Sequence, residues 1–326
     1  MLPQPFVCID RALAQWCGRW PVELTDPASW VAVAFSAGAD STALLMSANR
    51  RWPGRVVALH VHHGLQAAAD GFQEQAMQTC DVLGIPLKVA RVDASHGPGE
   101  SPEDAARRAR YGALARMAKS VNASVVLLGQ HADDQAETMM MALGRGAGLP
   151  GLSAMGEWFL RHGVGFGRPL LAVSSWEMRE ALRVVGQAFV DDPSNQDQRF
   201  VRNRVRARLM PAWQATFPGF QAAVARTSRH AAQAQQLLED LARIDLERVG
   251  IPPQIALLQS LQRHRQANAL RYWLKQSANV APSEAQMSEL LDQVDACRTR
   301  GHHIRIKVAS GFIERTGPSL GYSSSI

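Results

Sequence analysis

The fold is decided by the stretch Ala32-Val-Ala-Phe-Ser-Ala-Gly-Ala-Asp-Ser41, in which an apolar run ends in a loop of small residues. Buried strands of parallel sheets are almost continuously apolar, and Trp30 to Phe35 fits that description. The loop Ser36-Ala-Gly-Ala39 carries no bulky side chain that would keep its backbone N–H groups away from a phosphate. Helix-forming residues follow from Thr42, so a helix N-terminus would face the same anion. The stretch therefore predicts a phosphate-binding loop between a strand and a helix.

Asp40 is the unusual residue of this loop, because a carboxylate repels a polyphosphate unless a divalent cation lies between them. Its presence predicts that Mg²⁺ binds together with the phosphates. In the alternative interpretation the loop is an ordinary turn, and Asp40 and Ser41 only cap the helix that follows.

The loop resembles the signature Ser-Gly-Gly-x-Asp-Ser of the PP-loop ATP pyrophosphatases, enzymes that cleave ATP between its α- and β-phosphates and adenylate an oxygen of their substrate. The resemblance implies that ATP and its Mg²⁺ are held by Ser36, Ala37, Gly38, Ala39, Asp40 and Ser41. Ala37 stands where the family pattern has its first Gly, and Ala adopts φ > 0 only at a cost. We therefore expect any departure of the loop backbone from the family to lie at Ala37.

The composition is that of a globular protein with room for two domains, since the chain has 326 residues of which 46% are apolar. No apolar run approaches the roughly 18 to 20 residues that span a bilayer, and charged residues interrupt the short apolar stretch near the N-terminus. We therefore expect a cytoplasmic protein with no membrane association. Cys8, Cys17, Cys80 and Cys297 form no CxxC pair, so neither a disulfide framework nor a zinc site is predicted.

A net charge of +6 and a pI near 9.5 predict a polyanionic partner. Much of this charge lies in one segment, in which apolar residues separate Arg199, Arg202, Arg204, Arg206 and Arg208. Such a segment is suited to contact with the phosphates of a nucleic acid. A solvated amphipathic helix, whose arginines pair with carboxylates, is an equally good interpretation of the spacing alone.

Apolar runs alternate with helical patterns from about Trp30 to about Ala188, which predicts an α/β fold with a Rossmann-like parallel sheet. The predicted strands are Val31 to Phe35, Val56 to Val61, Leu87 to Val92 and Ser124 to Leu128. The predicted helices between them are Ser41 to Arg51, Gly71 to Leu83 and Pro102 to Lys119. Right-handed crossovers bring the loops after the first, second and fourth strands to one carboxyl edge, where open α/β folds bind their ligands.

Beyond about Pro211 the pattern changes to successive amphipathic helices. These are predicted over Gly219 to Val249, Ser260 to Gln276 and Pro282 to Ala296. Alternation over residues 302–314 predicts a terminal hairpin, followed by a frayed serine-rich end. We therefore divide the chain into a catalytic domain, residues 1–210, and a mainly helical C-terminal domain, residues 211–326.

The second predicted strand ends in His60-Val-His-His-Gly64. His60 and His62 alternate along the strand, and no carboxylate or thiol stands beside them at ligand spacing, so a metal site is not predicted. The histidines either line the nucleotide site or are buried structural residues.

The third predicted helix opens with a strong start signal, Ser101 as N-cap and Pro102 in the first turn. Within it, Arg107 and Arg110 are three residues apart and share one face, so they could clamp a phosphate or a carboxylate. In the alternative, Arg107 pairs with Glu103 on an exposed surface.

The fourth predicted strand leads into Gly129-Gln-His-Ala-Asp-Asp-Gln-Ala-Glu137. Asp134 and Glu137 lie about one helical turn apart on the same face of the helix predicted from Asp133. Acidic residues in a first turn are ordinary partners of the helix dipole, but Glu137 lies deeper than capping requires. The two carboxylates therefore predict a site for a cationic amine.

Taken together, the motifs resemble those of the tRNA(Ile)-lysidine synthases, a family of PP-loop enzymes. They are the loop 36–41, His60-Val-His-His-Gly-Leu65, Arg110-Tyr111, His131-Ala-Asp-Asp-Gln-Ala-Glu-Thr138, and Asp191-Asp-Pro-Ser-Asn195 followed by Arg202-Asn-Arg-Val-Arg206. The resemblance covers about residues 30 to 210, and the helical remainder is similar to the first C-terminal domain of that family. Longer members carry a further C-terminal domain, which we expect this chain to lack.

The resemblance implies that ATP adenylates O2 of the wobble cytidine in the CAU anticodon of the isoleucine tRNA. The ε-amine of L-lysine then attacks C2 and expels AMP, which forms lysidine. In that reaction Asp40 would hold ATP and Mg²⁺, Arg110 would contact the α-phosphate, and Asp134 and Glu137 would bind lysine. The tRNA would be bound by residues 211–326 and by Arg199, Arg202, Arg204 and Arg206. A homodimer is the default expectation for the oligomeric state.

Three other functions are compatible with the first loop alone. A PP-loop tRNA thiolase would need cysteines to carry sulfur, and the sequence has no CxxC pair. A PP-loop synthetase acting on a small molecule would leave the arginine segment and the basic pI unexplained. An ATP-sensing or RNA-binding module without catalytic activity would not need Asp134 and Glu137 beside the nucleotide.

Overall fold

A computed structural model describes residues 5–20, 22, 29–62, 68–92, 102–192, 197–299 and 301–324. Contacts within the chain divide it into two compact units, Met1–Ala231 and Ala232–Ile326. The boundary predicted between residues 210 and 211 separates a catalytic part from a tRNA-binding part. It is a functional division, and it stays a prediction. None of the described helices combines the length and the apolar composition needed to cross a bilayer.

The first unit alternates strands and helices. Its strands are β1 (Trp30–Ala34), β2 (Val56–His62), β3 (Leu87–Arg91), β4 (Ala123–Leu127), β5 (Trp158–Arg161) and β6 (Val164–Gly167). Its helices are α1 (Val7–Arg19), α2 (Ala39–Arg51), α3 (Ala68–Leu83), α4 (Pro102–Ser120), α5 (Ala132–Leu143), α6 (Leu149–Leu152), α7 (Ser175–Val184), α8 (Val201–Arg204) and α9 (Met210–Thr216). A π-helical turn, Val205–Leu209, joins α8 to α9, and α10 (Phe220–Val249) crosses the division between the units.

The strands form one sheet in the order β3-β2-β1-β4-β6-β5. All neighbours are parallel except β5, which runs antiparallel to β6. The predicted α/β fold with a parallel sheet is therefore confirmed, and the four predicted strands lie within one residue of their observed positions at each end. The hairpin of β5 and β6 was not predicted, because its strands are only four residues long and two of the four residues of β6 are glycines.

Helices cover both faces of the sheet, so its central strands are buried on both sides, as a parallel sheet requires. On one face, α1, α2 and α7 pack with the large side chains of Trp16, Leu44 and Leu182. On the other, α4 places Tyr111 and Leu114 against the strands. This packing fixes the carboxyl ends of β1 and β4 next to each other, and the first turns of α2 and α5 begin there.

The second unit combines helices with a small antiparallel sheet. Besides the end of α10 it contains α11 (Ile255–Leu258), α12 (Arg263–Ala278), α13 (Glu284–Ala296), β7 (Arg305–Val308), β8 (Gly311–Thr316) and β9 (Ser319–Ser324). The predicted hairpin corresponds to β7 and β8, but the prediction of a frayed end was wrong for residues 319–324. These form a third strand because Leu320 is fully buried and the Tyr322 hydroxyl donates to the carbonyl of Val308 at 3.1 Å.

Candidate active site

The loop between β1 and α2 is closed by its own two serines. The Ser41 hydroxyl donates to the carbonyl of Gly38 at 3.0 Å and lies 3.1 Å from the Ser36 hydroxyl. Gly38 is the N-cap of α2, and the backbone N–H of Thr42 already bonds back to its carbonyl at 3.0 Å. The N–H groups of the first helical turn before Thr42 have no acceptor within the helix. The loop therefore presents backbone donors in an arrangement suited to phosphate.

Ala37 adopts a left-handed conformation, with φ of +63°. This is a conformation that glycine adopts at no steric cost, so the backbone here follows the course that the Gly of the family pattern would favour. The carbonyl of Ala37 accepts from the N–H of Val190 at 2.9 Å, and only 1% of Ala37 is exposed. The surrounding structure therefore holds the loop in its turn although Ala37 carries a Cβ.

Gly129, two residues after β4, lies against the start of α2. A Cβ at this position would be 3.0 Å from the backbone nitrogen of Ser41 and 3.1 Å from the carbonyl carbon of Asp40. Both of these atoms belong to the backbone and cannot rotate away. The close approach therefore favours glycine, and it brings the carboxylate-bearing start of α5 to the first loop.

His131 lies at the centre of three carboxylates. Its Nε2 is 3.4 Å from Asp40 and 3.5 Å from Asp134, and its Nδ1 is 3.5 Å from Asp133. Burial alone would lower the pKa of His131, but the contacts with Asp133 and Asp40 and the charge of Asp134 raise it to about 10. His131 is therefore an imidazolium at neutral pH, and it partly balances the negative charge that the three carboxylates concentrate here.

Asp133 links this cluster to the first turn of α7. Its carboxylate accepts from the backbone N–H of Ser175 at 2.9 Å and from the side-chain amide of Gln221 at 3.2 Å. Burial would raise the pKa of Asp133, but the contact with His131 and the bond from Ser175 lower it to about 2. The Ser175 hydroxyl also points to Asp40, at 3.5 Å. The N-termini of α2, α5 and α7 thus converge on one group of charges.

Asp134 and Glu137 lie side by side, as the spacing predicted, and both contact arginines. Arg202 donates to Glu137 at 2.7 Å and to Asp134 at 2.9 Å. Arg206 donates to both oxygens of Glu137, at 2.6 and 3.0 Å. The Glu137 side chain is fully buried, whereas those of Arg202 and Arg206 are 31% and 39% exposed. The carboxylates predicted to hold an amine are therefore engaged by two of the arginines predicted to contact nucleic acid.

The other arginines of this segment make local contacts. Arg199 forms a bidentate ion pair with Asp197, and 87% of its side chain is exposed. Arg204 donates to the backbone carbonyls of Gln198 and Arg199 at 3.0 and 2.9 Å. Contact of these arginines with nucleic acid stays a prediction.

A second group of guanidinium groups surrounds Tyr111, whose ring is buried against Phe159 and Phe166. Arg107 and Arg110 lie 5.5 and 5.6 Å from the centroid of the Tyr111 ring. Burial lowers the pKa of Arg110, while the Tyr111 hydroxyl acts in the opposite direction. The alternative pairing of Arg107 with Glu103 stays a prediction, because the Glu103 side chain lies outside the described part of the chain. The predicted N-cap Ser101 also lies outside it.

The two described histidines of β2 both have partners within the fold. His60 bonds to the carbonyl of Phe35 through Nδ1 at 2.9 Å, and burial lowers its pKa. The Nε2 of His62 lies 3.1 Å from the carboxylate of Asp70 on α3. His63, Gly64 and Leu65, like residues 193–195 of the turn before the arginine segment, lie outside the described residues.

A cavity of about 920 Å³ joins the loop to the carboxylates. Its lining includes Asp40, His131, Asp134, Glu137 and Arg206. Asp40 of the first loop and Asp134 and Glu137 of α5 therefore open into one space, and none of the four cysteines, all of which are described, lines it.

The donors at the loop suit a Mg²⁺ ion that arrives with a nucleotide. Mg²⁺ is usually bound in proteins by one or two carboxylates together with substrate phosphates. Asp40 provides such a carboxylate, with 35% of its side chain exposed. Within the described residues no group of three or more His, Cys, Asp or Glu side chains is arranged to hold a metal ion by itself. Asp40 can therefore bind the ion through ATP.

Three positions of this site were not identified from the sequence. His131 is part of the quoted motif but was given no role, and Gly129 carries no side chain to draw attention. Ser175 follows the N-cap Ser174, which forms a capping box with Glu177. The pattern Ser-x-x-Glu signals a helix start, so the position of α7 could have been found from it.

Comparisons with known proteins agree with this geometry. A family model described as a PP-loop domain matches residues 10–213, and one described as a TilS substrate binding domain matches residues 254–315. The tRNA(Ile)-lysidine synthase of Polaromonas naphthalenivorans is 57% identical over 293 residues, which are 90% of this chain and 89% of that protein. The tRNA(Ile)-lysidine synthase of Burkholderia pseudomallei is 42% identical over 284 residues. These are 85% of this chain but only 58% of that longer protein.

Among solved structures, the U34-tRNA thiolase NcsA from Methanococcus maripaludis has a similar fold. Its TM-score is 0.57 with 18% sequence identity, and the match covers 68% of this chain and 77% of that one. At this identity the likeness concerns the fold alone.

Proposed function

The chain belongs to the tRNA(Ile)-lysidine synthase family, and on that premise we propose that it joins L-lysine to C2 of the wobble cytidine in the CAU anticodon of the isoleucine tRNA. ATP is consumed and AMP and pyrophosphate are released, with an adenylated tRNA as the intermediate. The observation that carries the proposal is the cavity that Asp40 of the PP-loop shares with the carboxylates of Asp134 and Glu137.

In the first half of the reaction the O2 atom of the cytidine attacks the α-phosphorus of ATP, and pyrophosphate leaves. The backbone donors of the loop would bind the phosphates, joined by the Ser36 and Ser41 hydroxyls once these turn away from the bonds that close the loop, and Asp40 would hold the Mg²⁺ ion. Mg²⁺ supplies neutralisation of the charge on the leaving pyrophosphate. Arg110, half-buried beside Tyr111, is the cation that we assign to the α-phosphate. Fixed donors of this kind act strongly where water is excluded.

In the second half the ε-amine of lysine attacks C2 and AMP leaves. Asp134 and Glu137 are the carboxylates that we assign to the lysine substrate. Their role is to hold the amine close to the activated carbon, since oriented approach can account for much of the rate of such a step.

The ion pairs of Arg202 and Arg206 with Glu137 imply an order in which the substrates bind. Glu137 accepts three hydrogen bonds from Arg202 and Arg206, so an ammonium group can reach it only when at least one guanidinium group leaves. Phosphates of the tRNA are strong partners for guanidinium groups. We therefore propose that tRNA binds first, draws Arg202 and Arg206 from Glu137, and so opens the lysine site.

The remaining parts of the proposal concern the surroundings of the reaction. The second unit contains the region matched as a substrate binding domain, and we assign it to the tRNA. The exposed Arg199 and the half-buried Arg204 would contact tRNA phosphates. We also propose that the enzyme is cytoplasmic and acts as a homodimer.

The test is direct. Purified protein is incubated with ATP, Mg²⁺, labelled lysine and the isoleucine tRNA with the CAU anticodon. We expect release of AMP and pyrophosphate and incorporation of lysine into the tRNA. A tRNA with a changed wobble base is the control, and it should incorporate none. Absence of lysine incorporation into the correct tRNA would overturn the proposal.

Sulfur transfer is the reaction that this fold also supports in a tRNA thiolase of similar structure. It would require a thiol or a sulfur-carrying cluster at the cavity, and none of the four cysteines of the chain lines it. Lysine-dependent release of AMP separates the two reactions in the same assay.

A further inference from the structure

Trp176 is a large aromatic side chain at the rim of the cavity, and 72% of it is exposed. It occupies the second position of α7, directly after Ser175, whose N–H donates to Asp133 and whose hydroxyl points to Asp40. The capping box of Ser174 and Glu177 fixes this helix end, with the Ser174 N–H 2.8 Å from the Glu177 carboxylate. Trp176 is therefore exposed yet held by an ordered backbone beside the catalytic residues.

An open groove of about 410 Å³ adjoins the cavity at Trp176. Trp176 and Arg179 line both spaces, so the groove continues directly from the cavity. Phe189 forms another part of the groove, and the guanidinium of Arg179 lies 5.2 Å from the centroid of its ring. The side chain of Gln187 also lines the groove. Aromatic faces, a guanidinium plane and an amide are the groups by which proteins bind unstacked nucleobases.

The ligand of the groove can be inferred from its connection to the cavity. The substrate base of a tRNA enzyme must be exposed from the anticodon loop before it can react, and its neighbours are then one phosphodiester away. With the wobble cytidine in the cavity, a nucleotide next to it can reach Trp176, because Trp176 lines both the cavity and the groove. The next nucleotide in the CAU anticodon is an adenosine, and a purine offers a large surface for stacking.

We propose that Trp176 and the groove beside it form a base-stacking subsite for the anticodon adenosine that follows the modified cytidine. This inference rests on the proposed function, since it assumes that the cytidine occupies the cavity. Stacking on Trp176 holds the loop open and keeps the cytidine unstacked from its neighbour. The subsite thereby favours binding of the tRNA and discriminates against loops that carry a pyrimidine at this position.

The test uses tRNA in which 2-aminopurine replaces this adenosine. Its fluorescence falls when the base stacks on an aromatic ring, so we expect quenching with the wild-type protein and with Trp176→Phe. Trp176→Ala should lose the quenching and raise the Kd for tRNA about tenfold, which corresponds to about 1.4 kcal/mol. The KM for ATP should not change in either variant. The matched control is Val184→Ala, which shortens another exposed side chain of α7, 58% exposed and outside the groove.

The outcomes separate this inference from the proposed function. Equal quenching in Trp176→Ala and wild type, or an unchanged Kd for tRNA in that variant, overturns the stacking subsite even when the enzyme forms lysidine. A raised KM for ATP with an unchanged Kd for tRNA overturns it as well, because the base bound would then be the adenine of ATP. A protein that binds and quenches the labelled tRNA but forms no lysidine contradicts the proposed function and leaves the subsite supported. Unchanged Tm values in both Trp176 variants show that the fold is retained.

Discussion

The guanidinium of Arg206 donates to both carboxylate oxygens of Glu137, with its Nε 2.6 Å from Oε1 and its Nη2 3.0 Å from Oε2. Burial alone would lower the pKa of Arg206, but Glu137 more than offsets this and raises it. Arg206 therefore stays a cation, and lysine must compete with it for Glu137.

Lysine should bind weakly to the free protein and more tightly once tRNA is present. Hydrogen bonds that involve charged groups contribute about 1.5 to 3 kcal/mol, so loss of the competing cation should strengthen lysine binding at least tenfold. Calorimetric titration with lysine, in the presence and absence of tRNA, measures this difference.

Arg206→Ala gives the same information without tRNA. It should tighten lysine binding by the free protein, while weakening tRNA binding and its dependence on salt. Arg204→Ala is the control for lysine affinity, because Arg204 bonds to backbone carbonyls and to no carboxylate among the described residues. Equal lysine affinity in Arg206→Ala and wild type would contradict the competition.

Gly129→Ala should impair ATP binding specifically. The added Cβ would lie 3.0 Å from the Ser41 nitrogen, so the first turn of α2 must move by several tenths of an ångström. We expect the KM for ATP to rise about tenfold and the stability to fall by about 1 to 3 kcal/mol, the usual cost of overpacking. Gly112→Ala, where the nearest atom is an Arg116 nitrogen at 3.5 Å, is the control and should stabilise α4. An unchanged KM for ATP in Gly129→Ala would show that the loop tolerates the displacement.

Ala37→Gly should leave both stability and the KM for ATP nearly unchanged. The left-handed conformation costs Ala about 1 kcal/mol or more, and glycine removes this cost but gives the unfolded chain more freedom, worth about as much. Ala39→Gly, in the first turn of α2, has no such strain to relieve and should destabilise. Ala37→Val should be worse still, because a β-branched residue would enter a left-handed position that is 1% exposed. A strong loss of activity in Ala37→Gly would mean that the alanine methyl group itself contributes to the site.

The sequence predicted the parts of the fold that depend on local pattern. Between Val31 and Leu59, two apolar runs flank a helical pattern. The spacing of apolar residues in each run reflects the side on which that element is buried in the sheet. It also predicted that Asp134 and Glu137 share a face, because that depends only on helical geometry. Contact between Glu137 and Arg202 is different, since these residues are 65 positions apart and meet only through the packing of α5 against α8.

The same limit explains what the sequence did not reveal about the loop. The identity of Ala37 gives no φ value, and its left-handed conformation follows from the bond of its carbonyl to Val190, far along the chain. The raised pKa of His131 likewise depends on Asp40, which approaches from another helix. Residues of the site that act through long-range contacts were therefore missed or left without a role.

Asp133 should make the stability depend on pH in mild acid. Its pKa is 3.8 before folding and about 2 in the native state, so its stabilising effect is present above about pH 4 and is lost as the pH falls through 2. The difference between these two pKa values corresponds to about 2 kcal/mol of unfolding free energy. Solvent screens this effect little, because only 20% of the Asp133 side chain is exposed. Asp133→Asn keeps an acceptor for the Ser175 N–H but removes the charge. Urea denaturation of both proteins should give a constant difference in unfolding free energy between about pH 6 and pH 5, where His131 is protonated in every state, and this difference should shrink towards pH 3. A difference that stays constant down to pH 3 would mean that the Asp133 charge does not stabilise the junction of α5 and α7.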